Sequence, residues 1–186
     1  MGDDNINNLK KLLKFHIISF IFVSILGTLL HFAFDFFNNN PIVAMFSSTN
    51  ESTWEHLKLL FFPMLLSTII GYFYLGKDFK NYFCARAIGI VSGLAFIVIF
   101  FYTYTGIIGT NYAILDISIF FIAVILGEYK SFKEMLSFSD CNKTLSITTI
   151  LILLICFIVF TYYPPKINLF KDPVTQSYGI LNSNNS

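Results

Sequence analysis

Residues 16–37 read HIISFIFVSILGTLLHFAFDFF, a run of mainly apolar side chains with one acidic residue close to its end. A helix needs about 20 mostly apolar residues to cross the hydrocarbon core of a bilayer. Four later stretches meet the same requirement, so the sequence predicts an all-α fold: a five-helix transmembrane bundle in a single integral membrane domain over 1–186. The predicted spans are about 16–37, 53–76, 87–107, 111–129 and 146–163, followed by a tail over 164–186.

The composition also indicates a membrane protein. Hydrophobic residues make up 55% of the chain and charged residues 12%, against about 25% charged in an average soluble domain. The 23 Phe and 10 Tyr suit lipid-facing surfaces and interfacial belts. A net charge of +1 offers no basic patch for nucleic acid. We therefore expect the lipid bilayer as the environment, and leave open a homo-oligomer or a membrane partner.

The basic residues predict how the bundle is oriented. Nine of the 12 Lys and Arg fall on one side of the predicted spans. The positive-inside rule places that side, with the N-terminus, in the cytoplasm and the C-terminal tail in the extracytoplasmic space. The protein is thus predicted to be a multi-pass protein of the cell membrane. Because the tail over 164–186 is too apolar for simple disorder, we expect it to fold back over the outer face as a cap. The nine residues are Lys10, Lys11, Lys14, Lys77, Lys80, Arg86, Lys130, Lys133 and Lys143.

The three cysteines show no spacing typical of a metal site. Cys84 and Cys141 fall on the predicted cytoplasmic side, and Cys156 lies within an apolar helix. Because the cytoplasm keeps thiols reduced, we expect all three to be free.

Ionisable residues gather at the predicted outer end of the first helix. A charged group within the bilayer is costly and usually has a partner or a task. His31 and Asp35 are four residues apart and share a polar stripe with Ser24 and Thr28. Two arrangements are open: the carboxylate binds one ring nitrogen and leaves the other free for a proton or a metal, or both side chains bind one ion directly.

The second helix begins with the capping box Ser52-Thr53-Trp54-Glu55, in which the Glu55 carboxylate is expected to reach back to the cap. His56 follows in the first turn of this helix. The helix dipole disfavours a charged imidazolium there, so we expect a neutral side chain that is available as a ligand or a base.

Counting residues from the outer helix ends places three ionisable groups in one layer. At 1.5 Å per residue, His31, His56 and Asp116 lie roughly 9, 5 and 8 Å below the surface. Two imidazoles with nearby carboxylates suit Zn²⁺ or another divalent first-row metal. We interpret these three residues as candidate metal ligands, with Asp35 or Glu51 as general base or fourth ligand.

The residues leave three kinds of function open. An enzyme would use the metal to hydrolyse a lipid or envelope substrate, whereas a transporter or sensor would exchange protons or bind an ion at the same groups. A structural or accessory subunit would use them only for hydrogen bonds between helices, worth about 0.6–2 kcal/mol each. No GxxxxGK, HExxH or GxSxG motif decides between these readings.

Four stretches together resemble a known family. They are His31-Phe32 with Asp35, Asn40-Pro41-Ile42-Val43, the run NESTWEHLK over 50–58, and the tail segments 170–173 and 178–180. The chain resembles a family of small bacterial multi-pass membrane proteins that is known only as a domain of unknown function, and the NESTWEHLK run is the most specific part. The resemblance implies a bacterial membrane protein of one domain, and it implies no activity.

Overall fold

The computed structural model describes residues 2–137 and 141–180, with side chains from residue 6 onward in the first helix. Within this part of the chain the fold is all-helical and has no strands, so the predicted fold class is confirmed. The helices are α1 (Gly2–Phe36), α2 (Pro41–Ala44), α3 (Thr53–Leu75), α4 (Tyr82–Ile108), α5 (Ala113–Leu136) and α6 (Lys143–Tyr162), and a short 3-10 helix covers Asn168–Phe170.

The five predicted spans correspond to the five long helices. Among the described residues, four helices are long and apolar enough to cross a membrane, namely Ile6–Phe36, Thr53–Leu75, Tyr82–Ile108 and Lys143–Tyr162, which indicates a membrane protein. The fifth, α5, has 24 residues but carries Asp116 in its first turn. Four further charged residues, Glu128, Lys130, Lys133 and Glu134, follow toward its other end, so its apolar stretch is shorter than those of the other four helices.

The long helices pack as one bundle in which α4 has a central position. It contacts α3, α5 and α6, while α1 packs against α3 and α5. Helices α4 and α5 approach closely at two glycines, since a Cβ on Gly89 would lie 2.5 Å from the carbonyl oxygen of Gly127. The connections 37–52 and 109–112 and the tail after residue 162 lie at one end of the bundle, which we call the cavity end.

A buried ion pair joins the helices in the opposite half of the bundle. Arg86 is fully buried on α4, and its Nη1 and Nη2 donate to the two carboxylate oxygens of Glu128 on α5 at 2.8 and 3.2 Å. Glu128 also lies 2.6 Å from Nδ1 of His16 and accepts a 2.7 Å hydrogen bond from Ser19, both on α1. Arg86 is therefore a core residue of α4, although it precedes the predicted span over 87–107 and counts among the nine basic residues of the predicted cytoplasmic side.

The first turn of α3 is capped in part as predicted. The Ser52 hydroxyl accepts the backbone N–H of Glu55 at 3.4 Å. The Glu55 carboxylate does not return to the cap, because the N–H of Ser52 donates to Asn50 instead. Glu55 is buried beside Lys58 at 2.7 Å and accepts hydrogen bonds from Thr49. The expected capping role of Glu55 is thus wrong, because a buried lysine needs this carboxylate as its partner.

The tail packs onto the start of α3. Phe170 is buried against Trp54, with ring centroids 4.7 Å apart, and the side chain of Asn50 donates to the carbonyl oxygen of Gly179 at 3.0 Å. The tail itself turns back at Asp172, whose carboxylate accepts backbone and hydroxyl hydrogen bonds from the following residues. The described tail therefore covers the beginning of α3.

Two of the cysteines are paired. Cys84 at the start of α4 forms a disulfide with Cys141, with the Cα atoms 6.2 Å apart, and Cys156 is free. The expectation of three reduced cysteines is therefore wrong for this pair. The two residues are 57 positions apart, and only the packing of α4 beside the segment that precedes α6 brings them within disulfide distance.

Candidate functional site

A cavity of about 380 Å³ opens at the cavity end between α1, α3, α4 and α5. Its volume lies within the range of small-molecule sites. Gly27 marks its floor, because a Cβ there would lie 2.5 Å from the carbonyl oxygen of Leu59 and 2.6 Å from the ring of Phe120. Most of the wall is apolar. The polar residues that line it are Thr28, His31, Glu51, Thr53, His56, Asn111 and Asp116.

Three of these side chains converge on one point. His31, Glu51 and His56 each offer one ligand atom, and these atoms all lie within 4.8 Å of one another. The ring centroids of the two histidines are 5.1 Å apart, and Nε2 of His56 lies 3.5 Å from Oε2 of Glu51. His31 lies on α1, His56 lies in the first turn of α3, and Glu51 lies in the loop before α3.

The backbone of α3 orients His56. Its Nδ1 lies 3.0 Å from the carbonyl oxygen of Ser52, one turn earlier. Because a carbonyl oxygen only accepts, Nδ1 carries the proton, which leaves Nε2, the nitrogen nearest Glu51, for a proton or a metal. This arrangement is typical of a metal-binding histidine, whose second nitrogen is usually held by a backbone carbonyl or a carboxylate.

His31 has an unsatisfied nitrogen. Its Nδ1 is buried and has no hydrogen-bond partner among the described residues. Leaving a buried polar atom unpaired costs about 1–3 kcal/mol. A bound ion or water at this position would remove that cost, so the environment of His31 fits a ligand in the cavity.

Asp116 lines the same cavity at the start of α5, but it does not belong to the three-residue cluster. Its Oδ1 accepts a short hydrogen bond from the hydroxyl of Tyr104, and its Oδ2 accepts one from the side chain of Asn111 at 3.2 Å. The Tyr104 oxygen also accepts the N–H of Tyr112 at 3.3 Å. Asp116 is therefore a firmly oriented carboxylate on the cavity wall.

A model for "Family of unknown function (DUF6512)" matches residues 4–180 of the chain. The chain belongs to this family. The match includes the NESTWEHLK run and the tail to Ile180, and it confirms the resemblance to an uncharacterised family. No match was found among curated proteins or among solved structures.

In this DUF6512 protein, the five predicted site residues do not form one group. The structure brings His31, His56 and Glu51 together and places Asp116 on the same cavity. Asp35, one turn after His31, is exposed and lies outside the cavity lining. The tail does not line the cavity either, as far as its described residues extend.

Sequence reasoning missed the residues that hold Asp116. Tyr104 is one of several tyrosines near a helix end, where tyrosine commonly serves as an interfacial anchor. Asn111 is a common turn residue. Only the antiparallel packing of α4 and α5 brings the Tyr104 hydroxyl to Asp116, and no spacing in the sequence marks that contact.

Proposed function

We propose that this DUF6512 protein binds a divalent first-row metal ion through His31, His56 and Glu51, and uses it to hydrolyse a substrate in the cavity. The observation that carries the proposal is the convergence of three ligand atoms within 4.8 Å beside a cavity. Two histidines and one glutamate form a ligand set of catalytic zinc, in which the fourth position stays open for water or substrate.

The distances fit such an ion after a small movement. Ligand atoms at about 2.0–2.2 Å from a tetrahedral zinc lie roughly 3.4 Å from one another. The spread of up to 4.8 Å therefore needs a shift of about 1 Å, which is within the reach of an exposed glutamate side chain. The side chain of Glu51 is 52% exposed, whereas that of His56 is 33% exposed, so Glu51 has the freedom to adjust.

Each residue then has a distinct role. His56 and His31 hold the ion, and the hydrogen bond from His56 to Ser52 fixes the tautomer. An ion held there would supply Lewis-acid chemistry, lowering the pKa of a bound water and polarising a carbonyl oxygen of the substrate. Asp116 is oriented on the cavity wall by Tyr104 and Asn111, and we assign it the role of general base. Asp116, predicted from the sequence as a ligand, is thereby proposed as the base. Glu51, predicted as general base or fourth ligand, is proposed as a ligand, and Asp35 has no role in the proposed site.

Metal analysis of the detergent-purified protein tests the metal site. After incubation with Zn²⁺ and removal of free ions, we expect about one equivalent in the wild type, as in a one-ion site. The variants His31→Ala, His56→Ala and Glu51→Gln each remove one of the three proposed ligands, so their affinity for Zn²⁺ should be much lower. Asp35→Asn is the matched control, because this carboxylate lies outside the cavity. Equal zinc in all five proteins, or none in any, would refute the proposed site.

Hydrolysis is tested separately on the same preparations. We expect the zinc-loaded wild type to cleave fluorogenic esters in detergent micelles, with activity lost on chelation and restored by Zn²⁺. Asp116→Asn should retain zinc but lose most of the activity, because general bases contribute about 10²–10⁴-fold. An Asp116→Asn protein with wild-type activity would remove Asp116 from the mechanism.

The sidedness of the site is part of the proposal. We infer that α5 also crosses the bilayer, because it packs along α4 and α1 and pairs its Glu128 inside the bundle. The five crossings, with the N-terminus in the cytoplasm of a bacterial cell, would place the cavity end outside. Single cysteines introduced at Asn39 and Lys80 test this with a membrane-impermeant maleimide in whole cells. Labelling of the cysteine at position 80 but not of the one at position 39 would show the opposite orientation, with the cavity end in the cytoplasm.

Proton passage is a second candidate, which a specific observation favours. Three buried side-chain atoms on α1 lack a hydrogen-bond partner among the described residues: His16 Nε2, Ser24 Oγ and His31 Nδ1. They extend from the Glu128 ion pair to the cavity, and waters between them would form a proton path. Liposomes that contain a pH-sensitive dye test this: passage predicts flux that Ser24→Ala reduces, and no flux above empty liposomes would exclude it.

A further inference from the structure

The cavity is continuous with the apolar outer surface of the bundle. Phe32 on α1 and Ile117 on α5 both line the cavity, yet they are 62% and 57% exposed. Their neighbours Leu29 and Ile114 are 61% and 75% exposed. On helices that cross a bilayer, exposed apolar side chains face the lipid. The rim between α1 and α5 is therefore open to the hydrocarbon region of the membrane.

The other rim of the cavity is polar and faces water. Glu51 and Asn111 line the cavity and are exposed, and both belong to connections at the cavity end. A molecule that fills the cavity thus has its apolar part against the α1 and α5 rim and its polar part at the connections. This division matches an amphiphile at the membrane surface.

The charges of the wall limit the substrate further. Among the described lining residues, the acidic side chains Glu51 and Asp116 have no lysine or arginine beside them. The nearby Lys58 is fully buried and paired with Glu55. With a divalent ion bound, its two positive charges are balanced by Glu51 and Asp116, so no excess positive charge remains to hold a phosphodiester anion, whereas an uncharged ester or amide needs none.

We infer that the substrate is an uncharged acyl ester or amide of a membrane lipid, which enters the cavity sideways between α1 and α5. This inference rests on the proposed hydrolytic function. The acyl chain lies along Phe32 and Ile117, and the carbonyl group lies beside His31, His56 and Glu51. Water adds to the acyl carbon, the C–O or C–N bond breaks, the acyl chain leaves as a carboxylic acid, and the alcohol or amine takes the remaining proton.

Chain-length selectivity tests this entry route. The zinc-loaded protein in detergent micelles is assayed with the palmitate and the butyrate esters of 4-methylumbelliferone, and with a long-chain phosphodiester of the same fluorophore. The variants Phe32→Trp and Ile117→Trp introduce a larger side chain that narrows the opening between α1 and α5. We expect kcat/KM for the palmitate to fall tenfold or more, with the butyrate value and the zinc content within twofold of the wild type. The phosphodiester should react at least a hundredfold more slowly than the palmitate.

Matched variants separate entry from folding. Leu29→Trp and Ile114→Trp enlarge exposed residues of the same helices outside the cavity lining, and we expect both to keep wild-type rates. If a tryptophan variant does not fold, Phe32→Ala and Ile117→Ala are used instead; they remove apolar surface that contacts the acyl chain, so kcat/KM should fall severalfold for the palmitate and stay near the wild-type value for the butyrate.

The possible outcomes distinguish the two proposals. Equal losses for palmitate and butyrate, or equal effects of the control variants, would overturn lateral lipid entry and leave the metal site intact. Faster cleavage of the phosphodiester than of the palmitate would overturn the uncharged ester or amide as substrate. A wild-type protein that binds zinc but cleaves none of the three probes would overturn both the substrate class and the hydrolytic role. A protein that binds no zinc would overturn the proposed site itself.

Discussion

Replacing Arg86 with methionine would leave the Glu128 carboxylate in the core without its positively charged partner. Arg86 is fully buried and Glu128 is 4% exposed. The two N–H groups of the guanidinium donate to both carboxylate oxygens, which is a bidentate, charge-assisted arrangement. His16 and Ser19 remain as partners of Glu128, but neither supplies a fixed positive charge.

The expected cost follows from the burial of the pair. Breaking a buried salt bridge by removing one partner typically costs about 3–5 kcal/mol, because the other charge stays desolvated. At about 2–4 °C per kcal/mol for a chain of this size, the melting temperature should fall by about 6–20 °C. Lys80→Met is the matched control: its side chain is exposed, and we expect a change within about 0.5 kcal/mol.

A double-mutant cycle separates the ion pair from simple loss of packing. Glu128→Gln alone leaves the Arg86 charge buried and should also destabilise the protein. In Arg86→Met with Glu128→Gln no unpaired charge remains, so the double variant should be more stable than the sum of the single effects by about 2 kcal/mol or more. The free energy of unfolding is measured by titration with a denaturing detergent in mixed micelles. Single effects that add to within about 0.5 kcal/mol would refute the reasoning.

Three further predictions concern the cavity floor, the tail and the disulfide. Gly27→Ala should cost about 1–3 kcal/mol and lower metal binding, since the added methyl would lie 2.5 Å from a backbone oxygen of α3; an unchanged melting temperature would contradict this packing. Phe170→Ala should expose Trp54, the only tryptophan of the chain, so its fluorescence should shift to longer wavelength; an unshifted spectrum would argue against a docked tail. Thiol counting under denaturing conditions should find two more reactive thiols after reduction than before, from Cys84 and Cys141, and equal counts would show that the pair is not oxidised.

The helices could be predicted from the sequence because membrane-spanning segments are defined by local composition. Each predicted span overlaps a long helix of the structure. The limits of α1 could not be predicted as well: it begins at Gly2 rather than at residue 16, because helix-forming residues such as Leu12 and Lys14 extend it beyond the apolar run.

The candidate site could be predicted in part, because depth along a helix follows from residue counting. That count places His31 and His56 in one layer, and their rings lie 5.1 Å apart in the structure. Rotation and side-chain direction are harder to infer at a helix end, and Asp35 therefore appears beside His31 in the sequence but outside the cavity in the fold.

The buried ion pair was beyond sequence reasoning for a different reason. Arg86 and Glu128 are separated by 42 positions, and each lies near the end of a hydrophobic run, where a charge usually meets water. Nothing in the local sequence distinguishes a charge that remains solvated there from one that turns inward to a partner. Only the close approach of α4 and α5 at Gly89 and Gly127 decides between the two.

The two histidines of the proposed site belong to different helices, α1 and α3, and residues 32–55 lie between them in the chain. An ion bound by both would act as a reversible cross-link between α1 and α3, joining the two ends of this segment much as a disulfide does. Its binding energy would then contribute to the assembly of the bundle, about 2.7 kcal/mol at a free ion concentration 100 times the Kd. The supply of metal would thereby set how long the inserted protein survives in the membrane, in addition to whether it is active.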